Sequence, residues 1–448
     1  MPPCRAREGG DGPPAYMKLQ RRERREISSG KGLEMRIVDL RKIARPGGAR
    51  VAATVIWEEC DRSNQEVYFE CRGPVAEEMA PNPDAFLLAC VMPAMEYRER
   101  RVRIEGTICP ELRNGLGSAF GVIHDWFPEH KRPAIEASGG CRPALPRTPP
   151  RVASFMSGGI DALATLRCNR LDYPLDHPAS IQDCFVLFGF NTYDFSADGP
   201  VAGRVEDFER RVTRMENLAR EARINLIPVY TNVRFIAKDF ESWNKRGMGA
   251  GLASVAHAFS ARVSRALIGS SGRQGAGPPL GTHPLLDPNY SIASLEIRHD
   301  GLWLTRLEKT AIVADWDAGL AIVQCCQQHE LHDTINCGQC NKCFRTMIQL
   351  AALGKLEKTP AFPSRAVTPE MIHQAEVLHE DDVSFLEQTV EPFMSVNQPD
   401  LAQAVRDRVA RYRQREKQVP SRGWRRAVKR WDSQLTGGVL TRLVRRLP

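Results

Sequence analysis

The sequence lacks any long apolar run. None of its uninterrupted apolar segments approaches the roughly 20 residues that a helix needs to cross a bilayer, so we predict no membrane-spanning helix. The stretch Met1–Gly10 has no apolar core behind its charged residues, which argues against a secretion signal. We therefore expect a cytoplasmic protein.

The composition also lacks the biases of fibrous or disordered chains. The 448 residues are 42% hydrophobic and 26% charged, and no internal repeat is present. These values are ordinary for globular proteins and exclude a wholly disordered, collagen-like or coiled-coil chain. A chain of this length is expected to form two to three domains.

The main part of the chain also lacks an excess of basic residues, because the positive charge is concentrated at the carboxyl-terminal end. The formal net charge of the chain is +8, yet residues 401–448 contain fourteen Lys and Arg against three Asp and Glu, a net charge of +11. The part before residue 401 is therefore slightly acidic. This distribution removes the charge argument for a nucleic-acid-binding body and leaves a basic tail.

The tail combines this charge with an apolar period. Trp424, Val428, Trp431 and Leu435 follow one another at i, i+4, i+7 and i+11 with basic residues between them. This pattern is typical of an amphipathic helix at an anionic membrane surface, although Gly437-Gly438 would break such a helix. Peripheral membrane attachment, contact with nucleic acid, and a solvated or body-packed tail remain alternative interpretations.

The chain is predicted to divide into segments of different composition. A Gly-, Pro- and Arg-rich start predicts a disordered arm, short β-branched stretches predict strands, and clustered prolines predict a linker without regular structure. Strands then alternate with helices, which predicts a parallel sheet covered on both faces. The segments are a disordered arm (1–34), a β-rich domain (35–137), a linker (138–150), an α/β domain (151–360), a helical extension (361–400) and the basic tail (401–448).

Hydrophobic periodicity assigns elements within the α/β domain. The predicted strands are Val152–Met156, Cys184–Phe190, Ile224–Tyr230 and Ala266–Gly269, and the predicted helices are Asp161–Arg167, Val205–Ala222 and Ala250–Val263.

A glycine-containing loop, Ser157-Gly-Gly-Ile-Asp161, connects the first of these strands to its helix. Glycines let the backbone approach an anion, and the positive end of the helix dipole points at the same place. The loop therefore predicts a phosphate site, with Ser157 as a hydroxyl donor and Asp161 either capping the helix or holding hydrated Mg²⁺. The alternative is an ordinary glycine turn followed by an Asp N-cap.

A cysteine cluster follows near the end of the domain. Cys337, Cys340 and Cys343 are spaced by two residues, and Cys325-Cys326 precedes them by about eleven. Four thiolates at such spacing are typical of a tetrahedral structural zinc site. A redox Cys-x-x-Cys pair and inert buried cysteines are the alternatives.

Together these motifs resemble those of a known family. The loop, which follows an apolar strand, is similar to the Ser-Gly-Gly-x-Asp-Ser signature of the PP-loop ATP pyrophosphatases of the adenine nucleotide α-hydrolase superfamily, a HUP-type fold. The cysteine cluster resembles that of 7-cyano-7-deazaguanine synthase. A set of uncharacterised relatives of that enzyme is closer still and carries runs like 281–288, 306–310 and 336–346. The resemblance covers about residues 35–360.

The resemblance implies a fold, an activity and a set of site residues. It implies a parallel-sheet PP-loop domain with a zinc knuckle after a smaller β-rich domain. It also implies an ATP-dependent ligase that adenylates a small-molecule substrate, releases pyrophosphate and lets a nitrogen nucleophile displace AMP, with Mg²⁺ and structural Zn²⁺ bound. The implied residues are Ser157, Gly158, Gly159, Ile160, Asp161 and Ala162 at the phosphates, Phe188 and Gly189 near the adenine, Asp161 and Lys309 in catalysis, and Cys326, Cys337, Cys340 and Cys343 on zinc.

This chain departs from the family pattern in one loop position and leaves two assignments open. Ala162 replaces the last serine of the signature, and losing one charge-assisted hydrogen bond costs about 1.5–3 kcal/mol. A catalytically weak nucleotide-binding regulatory or scaffold protein is thus the alternative function. Cys325 is the alternative to Cys326 as the first zinc ligand. The alternative interpretation of Lys309 is a solvated charge on the surface of a helix. Substrate and oligomeric state are not predicted.

Overall fold

The computed structural model of the chain describes residues 35–58, 60–271, 280–326, 335–377 and 380–418. The predicted disordered arm (1–34) and the predicted amphipathic helix around Trp424–Leu435 lie outside these residues. Within them, no helix combines the length and apolar character needed to span a membrane.

Ten strands form one mostly parallel sheet, in the order β12-β11-β6-β7-β10-β3-β2-β1-β4-β5. Two further short strands, β8 and β9, pair only with each other. The strands are β1 (Met35–Arg45), β2 (Gly48–Ile56), β3 (Gln65–Arg72), β4 (Arg101–Ile104), β5 (Ala134–Ala137), β6 (Val152–Phe155), β7 (Ile181–Phe188), β8 (Phe195–Ser196), β9 (Gly199–Pro200), β10 (Asn225–Thr231), β11 (Arg265–Gly269) and β12 (Glu296–Asp300).

Helices cover the sheet and extend beyond it. They are α1 (Pro83–Glu96), α2 (Pro110–Trp126), α3 (Ile160–Asp172), α4 (Ala202–Ala222), α5 (Met248–Ala258), α6 (Arg306–Ala314), α7 (Asp317–Ala321), α8 (Asn341–Ala352), α9 (Pro369–Gln374), α10 (Glu380–Glu387), α11 (Val390–Ser395) and α12 (Pro399–Gln418). Helical turns at Phe240–Ser242 and Trp243–Gly247 lead directly into α5.

The strands and helices predicted between residues 151 and 269 are confirmed to within about three residues, apart from the carboxyl ends of α3 and α5, where the prediction differs by about five. Strand β7 shows why a parallel sheet forms here. Phe185 faces a core shared with α1, α2 and α5, whereas Cys184, Val186 and Phe188 face a second core under α3, α4 and α8. A strand buried on both faces needs helices on both sides, which is the α/β arrangement that the sequence predicts.

The five parallel strands place a crevice next to β6. From β6 the chain adds β7 and β10 on one side and then returns to add β11 and β12 on the other. In open α/β sheets, ligands bind outside the carboxyl ends of the strands where the order reverses in this way. The loop after β6 lies at that point.

The strands of residues 35–137 continue the same sheet. Strand β3 pairs with β10 in antiparallel orientation, with Phe69 opposite Thr231. The Thr231 hydroxyl donates to the Tyr68 carbonyl at 2.6 Å, and the Asn232 amide donates to the Glu66 carbonyl at 2.7 Å. The predicted domain boundary at 138–150 stays a prediction, because the strands on its two sides share one sheet.

A buried carboxylate stabilises the amino-terminal ends of the parallel strands, on the edge of the sheet opposite to the crevice. Asp183 of β7 accepts hydrogen bonds from Arg151 at 2.6 Å, from Arg262 at 2.8 Å and from Asn225 at 2.9 Å. Although burial raises the pKa of Asp183, the hydrogen bonds from Arg151 and Arg262 outweigh it and lower the pKa below the usual aspartate value. The carboxylate therefore joins the start of β10 to the segments before β6 and β11.

Replacing this carboxylate is expected to destabilise the sheet. Asp183→Asn removes the anion that Arg151 and Arg262 share, although Arg262 keeps its ion pair with Glu78. Breaking such a buried pair costs about 3–5 kcal/mol, which urea unfolding would measure. Because the folded-state pKa is lowered, the stabilisation is present above pH ~4 and is lost as the pH falls towards the folded-state value. The difference between wild type and Asp183→Asn should therefore shrink in acid. Asp172→Asn, on an exposed side chain of α3, is the control and should change stability little; equal effects of both variants would contradict this account.

Candidate functional site

The loop after β6 forms a tight turn into α3. Gly159 is the N-cap residue, no side chain caps the helix, and the Gly159 N–H donates to the Ser157 Oγ at 3.2 Å. Asp161 lies inside the first helical turn, so the alternative of an Asp N-cap is wrong. The backbone N–H groups of this first turn carry the positive end of the helix dipole.

Gly158 fixes the shape of the turn. Its φ of 78° lies in the left-handed region, which side chains with a Cβ rarely adopt. A Cβ there would lie 3.0 Å from Met215 Cε and 3.2 Å from Gln324 Cβ, and the Gly158 carbonyl accepts the Gln324 N–H at 2.8 Å. The turn is therefore packed between α4 and the segment that leads into the cysteine cluster.

Polar side chains meet at the carboxyl ends of β6, β11 and β12. Lys309 of α6 is 2% exposed, and its Nζ donates to the Ser270 carbonyl at 2.5 Å and the Ser270 hydroxyl at 2.6 Å. Burial lowers the pKa of Lys309, and the Asp161 carboxylate opposes that shift. Burial also raises the pKa of Asp300 at the end of β12. Lys309 is thus a buried group of the crevice, and its interpretation as a solvated helix charge is wrong.

Further cations surround Asp161. The Arg306 Nη1 donates to Asp161 Oδ2 at 2.5 Å, while Asp161 Oδ1 is buried without a hydrogen-bond partner. Desolvation lowers the pKa of Lys342 and of Arg345 in α8; the charge of Arg306 adds to this lowering, and the charge of Asp161 opposes it. Arg306 therefore contacts Asp161 directly, and the charges of Lys309, Lys342 and Arg345 interact with it, while Arg345 also forms an ion pair with Asp382 at 3.2 Å.

Sequence reasoning missed Arg306, Lys342 and Arg345 as site residues. A usable signal was present, because Arg306 and Lys309 are spaced i, i+3 in one helix, and so are Lys342 and Arg345 in another. Such spacing places both members of a pair on one helix face.

The two residues predicted near the adenine have different environments. The Phe188 ring is buried and packs against Phe195, Phe208 and Tyr230 at centroid distances of 5.6–5.7 Å, so its side chain is part of the core. Gly189 follows at the end of β7 with φ 97°. A Cβ on Gly189 would lie 1.7 Å from the Thr231 carbonyl oxygen, so only glycine fits there.

The four predicted zinc ligands lie together. The Sγ atoms of Cys326, Cys337, Cys340 and Cys343 are all within 4.8 Å of one another, and two of these separations are 3.7 Å (Cys337 to Cys343) and 3.4 Å (Cys340 to Cys343). Tetrahedral zinc with Zn–S bonds of about 2.3 Å requires sulfur separations of roughly 3.8 Å. The cluster could therefore hold a zinc ion, with Cys326 rather than Cys325 in the group.

Backbone groups and one buried amide shape this cluster. Asn336 Oδ1 accepts the Cys325 N–H at 2.8 Å and the Cys326 N–H at 3.1 Å, while its Nδ2 donates to the Val323 carbonyl at 2.8 Å. The Cys340 N–H points at Cys337 Sγ at 3.3 Å, and Gly338 between them has φ 70°. N–H groups directed at a sulfur are typical of the surroundings of a metal ligand.

Comparisons with family models, with curated proteins and with solved structures found no match to this chain. The resemblance to PP-loop enzymes therefore rests on the motifs and on the geometry described above.

The cysteine geometry predicts the metal content of the purified protein. Elemental analysis should find one zinc per chain, and Cys326→Ser should lower that value because it removes one of four ligands. The matched control is Cys325→Ser, which should retain full zinc. The opposite ranking of the two variants, or iron or no metal in the wild type, would contradict a zinc site at this cluster.

Proposed function

We propose that the chain is an ATP-dependent, AMP-forming ligase similar to 7-cyano-7-deazaguanine synthase. The proposal is carried by the juxtaposition of an uncapped glycine turn with Arg306 and the buried Lys309 at the point where the strand order reverses. Both features favour the phosphates of a nucleotide, and the sheet topology places them where α/β proteins bind their ligands.

The proposed phosphate site consists of backbone and side-chain donors. The N–H groups of Gly159, Ile160 and the following residues would face the α-phosphate and pyrophosphate, with the Ser157 hydroxyl beside them. Arg306 and Lys309 supply positive charge from α6. Lys309 is held by Ser270, so its charge is fixed before a ligand arrives, which is how preorganised donors stabilise developing negative charge.

Asp161 fits a hydrated Mg²⁺. One of its carboxylate oxygens bonds Arg306, and the other is buried without a partner. An unpaired buried oxygen costs free energy, and a cation bound through water would satisfy it. When bound, Mg²⁺ would offset charge on the phosphates, and Asp161 would hold it in place.

The proposed reaction has two steps. An oxygen of the substrate bonds to the α-phosphorus of ATP while the bond to pyrophosphate breaks. A nitrogen nucleophile then bonds to the activated carbon, and AMP leaves with the transferred oxygen. The cations around Asp161 favour the first step because negative charge accumulates on the departing pyrophosphate.

In this proposal the cysteine cluster has a structural rather than a catalytic role. Four thiolates close the coordination shell of zinc and leave no position for a substrate. The segment from Gln324 to Cys326 connects the cluster to Gly158 through one backbone hydrogen bond. Zinc bound at the cluster would thereby keep this segment in place beside the phosphate loop.

The second candidate function is nucleotide binding without turnover. Ala162 stands in the first turn of α3, where the family signature has serine, and the Arg306 bridge occupies one oxygen of Asp161. Both features would weaken the activation of the α-phosphate for reaction more than they would weaken the binding of ATP. A regulatory or scaffold protein would tolerate them.

The assay for the proposed function follows radiolabelled ATP to AMP and pyrophosphate across a panel of carboxylate and amide substrates with ammonia. Wild type should form both products in equal amounts. Gly158→Val should reduce ATP affinity and product formation at least tenfold, because the side chain forces the turn out of its left-handed conformation. Gly203→Ala, in open space on α4, is the control and should behave as wild type.

Ala162→Ser extends the same assay. Restoring one charge-assisted hydrogen bond of about 1.5–3 kcal/mol should raise turnover tenfold or more. ATP binding without AMP or pyrophosphate, in wild type and in Ala162→Ser, would contradict the ligase and support the second candidate. Absence of ATP binding would contradict both.

A further inference from the structure

A second concentration of positive charge lies at the carboxyl ends of β7 and β10. Arg234 belongs to the short helix Val233–Ile236 directly after β10, and Asp194 lies in the loop after β7. These strands are on the opposite side of β6 from Asp300 and Lys309. The group is thus separate from the cations that surround Asp161.

Arg234 is a buried and largely unpaired cation. The residue is 6% exposed. Its Nη2 donates to the Thr192 hydroxyl at 2.9 Å, while Nε and Nη1 are buried without a hydrogen-bond partner. A guanidinium offers five N–H donors and stays charged at any physiological pH. A buried charge with most of its donors unused destabilises the fold, and a buried polar group without a partner calls for an explanation such as a bound ion or water.

The nearby carboxylate does not neutralise this charge. Asp194 Oδ2 accepts the Gly189 N–H at 2.8 Å and the Asn191 N–H at 3.0 Å, so it is engaged in shaping the loop after β7. Burial lowers the pKa of Arg234 and of Arg211, and Asp194 opposes both shifts. Asp207 also opposes the shift of Arg211, whereas no ion pair joins Arg234 to a carboxylate among the described residues.

Arg211 of α4 lies close to the phosphate loop. Its Nε is also buried without a partner, and it precedes Met215 by four residues on α4. Met215 is the residue that packs against Gly158. Four helical residues rise about 6 Å, so Arg211 lies about one turn of α4 from the loop.

Aromatic rings cover Arg234 on its outer side. The Arg234 Cζ lies 5.1 Å from the centroid of the Phe240 ring and 5.4 Å from that of the Phe235 ring. Phe240 is 52% exposed, so little packing holds its ring over the guanidinium. Displacement of this ring would give a ligand access to the two unpaired nitrogens.

We infer that Arg234 forms a subsite for a small oxyanion, either a carboxylate or a phosphate, at the carboxyl ends of β7 and β10. Each of the two unpartnered nitrogens, Nε and Nη1, can donate a charge-assisted hydrogen bond to an oxygen of such an anion. Within the proposed function the subsite holds an anionic group of the acceptor substrate next to the α-phosphate. That role rests on the proposed function, whereas anion binding itself does not.

The test observes Arg234 directly in the full chain. In protein labelled with ¹⁵N-arginine, the Nε–H resonance that disappears in Arg234→Gln belongs to Arg234. Titration with inorganic phosphate, acetate or chloride at constant ionic strength should shift this resonance saturably with phosphate, acetate or both, and not with chloride. Preference between the first two identifies the anion class. No shift with either oxyanion, or an equal shift with chloride, would overturn the inference.

Thermal unfolding supplies a second readout and the controls. The preferred oxyanion should raise the melting temperature of wild type and of the control Arg220→Gln, which replaces an exposed arginine of α4. The apparent affinity derived from this rise should be at least tenfold weaker in Arg234→Gln. Without anion, Arg234→Gln should melt no lower than wild type. Unchanged affinity in Arg234→Gln, or a fall in its melting temperature without anion, would make the arginine structural and refute the subsite.

Gly158→Val separates this inference from the proposed function. If the oxyanion-dependent shift of the Arg234 resonance persists in that variant while ATP binding is lost, the two sites are distinct, as inferred. A wild-type protein that binds the oxyanion at Arg234 but never binds ATP would refute the proposed ligase and leave the subsite intact. Loss of the Arg234 shift in Gly158→Val would show that the anion was bound at the phosphate loop, which contradicts the inference.

Discussion

The left-handed turn at Gly158 is the constraint on which the rest of the site depends. It brings the first turn of α3 to the end of β6 with its N–H groups uncapped, and it packs against Met215 on one side and Gln324 on the other. Because a side chain at this position would meet both neighbours, α4 and the segment before the cysteines can approach the loop only if the residue is glycine. A single backbone conformation thus sets the distance between three parts of the chain.

Charge is then distributed around this turn in a way that folding alone does not explain. Lys309 and Arg234 are both almost fully buried, yet neither forms an ion pair with a carboxylate among the described residues. Burying a cation without its counter-ion costs stability, and the sheet elsewhere avoids that cost, as Asp183 with its two arginines shows. The contrast between the two edges of the sheet is consistent with the proposed site at the carboxyl edge and with structural support at the amino edge.

How much of this the sequence predicts depends on how local each feature is. The loop Ser157–Asp161 and the cysteines Cys326 to Cys343 are short patterns whose spacing alone defines their geometry, and the strands around them have strong apolar signals. The crevice residues Arg306 and Arg345 become neighbours of Asp161 only because β11 returns to the far side of β6. No periodicity in the sequence encodes that order of strands.

The elements that sequence reasoning did not assign have equally physical reasons. Strand β12, Glu-Ile-Arg-His-Asp, is an edge strand of the sheet with polar residues at most positions, so it lacks the apolar signal of a strand. Helix α1 is buried on all sides, and a helix without a polar face shows no 3.6-residue period. In both cases tertiary environment, rather than local pattern, decides the structure.

The most direct measurement is a crystal structure of the full chain with an ATP analogue whose α–β bridging oxygen is replaced by methylene, which prevents pyrophosphate release. The account predicts the α-phosphate against the backbone N–H groups of residues 159–162, with the β- and γ-phosphates towards Arg306 and Lys309. An analogue bound elsewhere on the molecule, or an empty turn at saturating analogue, would contradict the assignment of this loop as the nucleotide site.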